Sequence, residues 1–123
     1  MNKDILKAQE LTELVFPKLV KDLAKWVQID SVYDEETVSK TAPFGKNVKK
    51  SLAFFKSLAK KDGFEAVDID NKLVELTYNE KADKSVVIMG HADVVPTGNG
   101  WKDSPFSAVI KDNKLYGRGS IDD

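Results

Sequence analysis

The stretch 85-SVVIMGHADVVPTGNGW-101 decides how this chain is read. An apolar run of strand length and two residues able to hold a cation stand back to back in it. Val86–Met89 is continuously apolar and predicts a strand buried on both faces of a sheet. His91, the only histidine of the chain, follows at once, with Asp93 two positions on. If the extended backbone continues past Met89, side chains at i and i+2 point to one side, so His91 and Asp93 are neighbours. They then stand at the C-terminal end of a strand, where open α/β sheets keep their sites. A carboxylate that accepts a ring N–H fixes the imidazole tautomer and leaves the other nitrogen for a metal. Gly90 lets the backbone turn closely at this point. The triplet alone decides nothing, because a structural histidine paired with an acid accounts for it equally well.

Outward from this stretch, the chain before it reads as helices and then strands. Leu11, Val15, Leu19, Leu23 and Trp26-Val27 recur at helical spacing between about Leu11 and Ile29, with Pro17 as a kink or restart. Residues 30–41 are polar, acidic and aperiodic, and read as a loop. In 43-PFGKNVKKSLAFFKSLAKKDGF-64, Val48, Leu52, Phe55 and Ala59 share one helical face, lysines take the other, and Gly63 is a stop. The lysines at 46, 49, 50, 56, 60 and 61 read as a solvated face. Phe64–Ile69 and Leu73–Tyr78 are strand-like and joined by the turn pair Asp70-Asn71. Phe106–Lys111 and Lys114–Tyr116 flank Asp112-Asn113 as a second hairpin. This order predicts an α/β fold, a mixed sheet flanked by at least two helices. Asn99-Gly100 is a turn signal, and Trp101 with Pro105-Phe106 reads as core or lid packing.

Composition narrows the chemistry. A chain of 123 residues suits one domain. With 19 basic and 20 acidic residues its net charge is −1, so no attraction to nucleic acid or anionic lipid is expected. It has no cysteine, which excludes disulfides and thiolate metal sites, so any metal must be held by imidazole and carboxylate. No run approaches the roughly eighteen apolar residues of a membrane span, and the N-terminus lacks the apolar core of a signal peptide. The expected location is cytoplasmic.

A second acidic element closes the sequence. In 117-GRGSIDD-123, Asp122 and Asp123 follow Arg118, the sole arginine, just after a predicted strand. Paired carboxylates there suit a divalent metal, since one carboxylate can bridge two cations. A helix N-terminus, where acids are favoured by the dipole, is the alternative. A dinucleotide fingerprint fails, because the position of its third glycine holds Asp122.

GHADVVP, a W-x-x-x-PF segment and LYGRGSIDD occur here in one order, with Asp122 thirty-one positions after His91. Together they resemble the di-zinc aminoacylase, carboxypeptidase-G and succinyl-diaminopimelate desuccinylase superfamily, whose motifs are H-x-D and G-x-x-D-D-K-G. The segments 29-IDS-31, 43-PFG-45 and 62-DGF-64 sharpen the resemblance to bacterial dipeptidases of the PepV type, including those called Xaa-His or β-Ala-Xaa dipeptidases. The resemblance implies that His91 is a zinc ligand, that Asp93 clamps the imidazole and counts as catalytic, and that Asp122 bridges two Zn2+ ions. It also implies a cis peptide between Asp122 and Asp123. The implied reaction is zinc-assisted hydrolysis of dipeptides, with a glutamate as general base. The family motif continues with Lys-Gly, and the general base, the other zinc ligands and the lid domain lie in segments beyond those matched here. Residues 1–123 are therefore expected to be an incomplete N-terminal portion of the catalytic domain, inactive alone and at most weakly zinc-binding. Two other readings stand beside this one: an N-acyl amino acid deacylase, such as an acetylornithine deacetylase or desuccinylase, and a catalytically dead interaction module.

Overall fold

The computed structural model describes residues 2–79 and 81–122. Two α-helices, a short 3-10 helix at Glu35–Thr37 and two antiparallel hairpins, one of them packed on the second α-helix, make up the regular structure among the described residues. The α/β class expected from the sequence holds.

Helix α1, Lys3–Val27, starts eight positions before its periodic apolar residues. The start is set by a cap: Asn2 Oδ1 accepts from the Asp4 N–H at 2.9 Å, satisfying one of the helix's orphan donors. Pro17 lies inside the helix, which continues as one element through it. Only the C-terminal part of α1, from Lys18 on, meets the rest of the chain. Val27 is buried and Leu23, Ala24 and Trp26 are half-buried, whereas Leu11, Val15, Phe16 and Leu19 are exposed.

Helix α2, Lys46–Lys61, follows the expected pattern closely. Val48, Leu52 and Ala59 are buried, and Phe55 stacks on Trp26 of α1 with ring centroids 4.9 Å apart. The lysine face is solvated apart from the half-buried Lys56. Gly45 precedes the helix at φ +93°, where a Cβ would fall 2.8 Å from the Asp34 carbonyl oxygen, so the helix entry needs glycine. Lys18 of α1 ties the two helices together, donating to Asp22 at 2.8 Å and to Asp62 at 2.9 Å.

Strands β1, Glu65–Ile69, and β2, Leu73–Thr77, pair with Ile69 opposite Leu73 and pack on α2 through Ala66. Asp70 and Asn71 have φ +55° and +57°, the left-handed conformation that Asp and Asn tolerate in tight turns. Strands β3, Val109–Lys111, and β4, Lys114–Tyr116, repeat this with Asp112 and Asn113 at φ +51° and +58°. Positive φ at both central residues matches the right-handed twist of the flanking strands.

The expectation for Val86–Met89 is corrected. These residues form no ladder, and they are 78–92% exposed rather than buried on both faces. A strand needs a partner for its backbone groups and a layer over each face. Among the described residues the hairpins pair only within themselves, so the expected mixed sheet is not assembled. What remains of it is one parallel bridge, Val32 with Val94, in which the Val94 N–H donates to the Ser31 carbonyl at 3.2 Å. That bridge lies just beyond the histidine and fixes the loop that carries it.

Candidate metal centre

The loop 90–97 and the turn 117–122 come together beside the C-terminal end of α1. Glycine makes this approach feasible, although not the glycine expected. A Cβ at Gly90 would meet nothing within 4 Å, so the sequence reading that Gly90 permits a close turn is not borne out. The close approaches are at Gly117, whose Cβ would collide with Val27 Cγ1, and at Gly119. Gly119 has φ +82° and its Cβ would fall 2.8 Å from Val94 Cγ1. Arg118, between them, fastens the turn to the loop. Its backbone N–H donates to the Pro105 carbonyl at 2.8 Å, and Nη2 donates to the carbonyls of Pro96 and Thr97 at 3.3 and 3.2 Å. The guanidinium also lies over the Trp101 ring, 5.5 Å from its centroid, a cation–π contact. Trp101 Nε1 donates to the same Thr97 carbonyl at 2.8 Å. Trp101 is thus packing, as its sequence context suggested.

This clamp sets His91 opposite Asp122. Nε2 of His91 is 3.1 Å from Oδ1 of Asp122, and Nδ1 is 2.9 Å from the backbone carbonyl oxygen of Asp93. A carbonyl only accepts, so Nδ1 carries the hydrogen that makes this bond. In the neutral ring Nε2 then presents a lone pair to a carboxylate oxygen. Two acceptors at that distance repel unless a positive charge joins them, either a proton on Nε2 or a cation held by both atoms. His91, Asp93 and Asp122 are all well exposed, with side chains 50%, 57% and 80% accessible. They border a cleft of about 250 Å³ with Trp26, Ser31 and Arg118.

His91 and Asp93 are neighbours, as expected, but the contact differs. The Asp93 carboxylate is 3.8 Å from Nδ1, and the hydrogen bond to the ring comes from the Asp93 backbone. Asp123, expected to share a cis peptide with Asp122, lies outside the described residues. Among those residues no group of three or more His, Cys, Asp or Glu side chains could hold a metal ion. The donor set present, one imidazole and one facing carboxylate, fits half of a zinc site and not a complete one.

One residue of this arrangement escaped the sequence reading. Ser51, in the middle of α2, is fully buried and donates to the Ala92 carbonyl at 2.6 Å, while its Oγ accepts from Trp26 Nε1 at 2.6 Å. A serine on the face next to the lysine stripe carries no sign in the sequence of a partner 41 positions away.

Comparison with known proteins bears out the resemblance carried by the motifs. Residues 87–123 match the family described as Peptidase family M20/M25/M40. The chain is 38% identical over 105 residues to the putative dipeptidase YtjP of Bacillus subtilis, covering 85% of this chain and 22% of that protein. It is 38% identical over 119 residues to the β-Ala-Xaa dipeptidase of Lactobacillus delbrueckii subsp. lactis, covering 96% of this chain and 25% of the relative. A putative dipeptidase of Staphylococcus epidermidis is 33% identical over 106 residues, 86% of this chain and 22% of that protein. The chain thus spans about a quarter of the length of these relatives.

Proposed function

We propose that this chain, with its M20-type segment 87–123, supplies the N-terminal quarter of a cytoplasmic zinc dipeptidase. The observation that carries the reading is the meeting of His91 Nε2 with Asp122 Oδ1 across thirty-one positions of chain, two acceptors that need a cation between them. The names of the relatives add the substrate class, since one is a β-Ala-Xaa dipeptidase and two are putative dipeptidases.

In this reading His91, through Nε2, and Asp122, through its carboxylate, are the residues of this chain that would hold zinc. A bound zinc pair supplies Lewis acidity and a water acidic enough to attack an amide at neutral pH. The residues of this chain position that chemistry. The Asp93 carbonyl holds the hydrogen on Nδ1, which keeps the Nε2 lone pair available. The Asp93 carboxylate lies 3.8 Å from the same nitrogen. Arg118 locks the two loops at the separation the ligands need. In this reading the general base, further ligands and recognition of the dipeptide's two ends come from segments other than residues 1–123. The chain alone is accordingly inactive on dipeptides and binds zinc weakly. The exposed apolar surface of Val86–Met89 and of α1 supports this reading over a free-standing interaction module.

The test is a zinc titration of the chain followed through the ring nitrogens of its single imidazole. Nε2 is expected to shift on zinc addition in the wild type and to respond much less in Asp122→Asn. No response of Nε2 to millimolar zinc sinks the metal reading. Zinc-dependent hydrolysis of a dipeptide by the 123 residues alone sinks the assignment as a quarter of the catalytic unit. Assay of the longer reading frame on dipeptides against N-acyl amino acids separates the dipeptidase from the deacylase.

A further inference from the structure

We propose that Ser51 is a positioning residue for the metal centre, setting the orientation of the His91 ring from helix α2 through the Ala92 carbonyl. This role rests on the zinc reading of the site and adds a residue to it.

A serine inside a helix ordinarily returns its hydroxyl to the carbonyl four residues back or turns it to solvent. Ser51 does neither. Its Oγ lies 2.6 Å from Trp26 Nε1 and 2.6 Å from the Ala92 carbonyl oxygen, and the residue is 0% exposed. The directions are fixed by chemistry. Indole N–H only donates, so Oγ must accept from Trp26, and the hydroxyl proton is left for Ala92. Two short hydrogen bonds in series polarise one another and strengthen the second. The Trp26 ring is itself held by its stack on Phe55, so the first donor is rigid.

The end of this relay is the peptide between Ala92 and Asp93. Fixing its carbonyl fixes the plane of that peptide and so the position at which Asp93 begins, which leaves only the φ and ψ of Asp93 between it and the peptide that carries the Asp93 carbonyl. The Asp93 carbonyl is the atom to which His91 Nδ1 donates, at 2.9 Å. On the far side, the Val94 N–H is pinned to Ser31 at 3.2 Å. The loop is thus tied at 92 and 94, and the imidazole takes its tautomer from the peptide between the ties. Only with hydrogen on Nδ1 does the Nε2 lone pair face Asp122, where a cation would be held.

The experiment uses the 123-residue chain and its single histidine, whose tautomer is read from the ring 15N resonances without metal. A second readout is zinc affinity from the titration above. In wild type the neutral ring is expected in the Nδ1–H form. Ser51→Ala is expected to give a mixed tautomer and to weaken zinc about tenfold, the scale seen when outer partners of metal-bound histidines are removed. Val48→Ala, a buried change in the same helix, is the control for plain destabilisation and is expected to keep tautomer and affinity. Ser51→Ala with wild-type tautomer and affinity overturns the inference, as does an equal loss in Val48→Ala. A tautomer change in Ser51→Ala alone, with no zinc binding by wild type, supports the role of Ser51 and refutes the zinc reading. Should Ser51→Ala not fold, exchange of the Trp26 indole N–H in wild type decides: slow exchange supports the relay, and exchange as fast as in free indole overturns it.

Discussion

His91 Nε2 stands 3.1 Å from Asp122 Oδ1, and the same ring donates from Nδ1 to the Asp93 carbonyl. The pair therefore has one position for a positive charge, which a proton and a metal ion must contest. Zinc binding by this chain is expected to weaken as pH falls and the imidazole is protonated. His91→Ala should abolish the spectroscopic response to zinc, and Asp122→Asn should weaken it about tenfold or more. Titrations at two pH values, with both variants, check this.

The glycines of 117-GRGSIDD-123 are expected to differ sharply from Gly90. Gly117→Ala drives a methyl into Val27, and Gly119→Ala adds a contact with Val94 to an unfavourable positive φ. Each should destabilise by about 1–3 kcal/mol, the usual cost of overpacking. Gly90→Ala meets nothing within 4 Å and should change stability by no more than about 0.5 kcal/mol. Urea melts of the three variants give the comparison.

Lys18 predicts a pH window. Its hydrogen bond to Asp22 first, and that to Asp62 second, raise the ammonium above the ordinary lysine value. The hydrogen bond from Lys18 is also the main cause that lowers the Asp22 carboxyl. The lowered acid contributes stability above its unfolded value, and this is lost as pH falls through the folded one. The raised lysine contributes below its unfolded value, and this is lost as pH rises through its folded one. Lys18→Met should therefore lower the Tm slightly at neutral pH and have no effect in strong acid or strong base. Because these groups are solvent-exposed, added salt should shrink the difference.

Val86–Met89 predicts self-association. Four consecutive exposed apolar residues of high β-propensity, with unpaired strand edges, form a template for pairing with another chain. The chain is expected to show concentration-dependent association on size-exclusion chromatography, and Ile88→Lys to reduce it. An Ile88→Lys variant that associates as strongly as wild type would show that the contact lies elsewhere.

Much of the local structure is legible in the sequence. Helix α2 and both hairpin turns lie where periodicity and the Asp-Asn pairs put them, because their determinants are near in sequence, although the strand expected at Phe106–Lys111 is confined to Val109–Lys111. Helix α1 was legible in its packed half, and its early start depends on a cap at Asn2 that the apolar spacing does not report. Val86–Met89 has the composition of a central strand, but composition states only what a segment can bury and not whether layers are there to bury it.

By itself the sequence determined the α/β class, the two helices, the two hairpins, and the motifs that relate this chain to dipeptidases. It also offered His91, Asp93 and Asp122 as candidates, through the H-x-D triplet, the acidic pair after Arg118 and the resemblance these motifs carry. Tertiary structure alone decided how those residues meet. The Asp93 backbone rather than its carboxylate takes the ring hydrogen, Gly117 and Gly119 rather than Gly90 allow the loops to close, and Ser51 and Arg118 hold them in place. Hydrogen bonds between residues 2 and 41 positions apart depend on ångström-scale geometry, and local propensity carries no information about it.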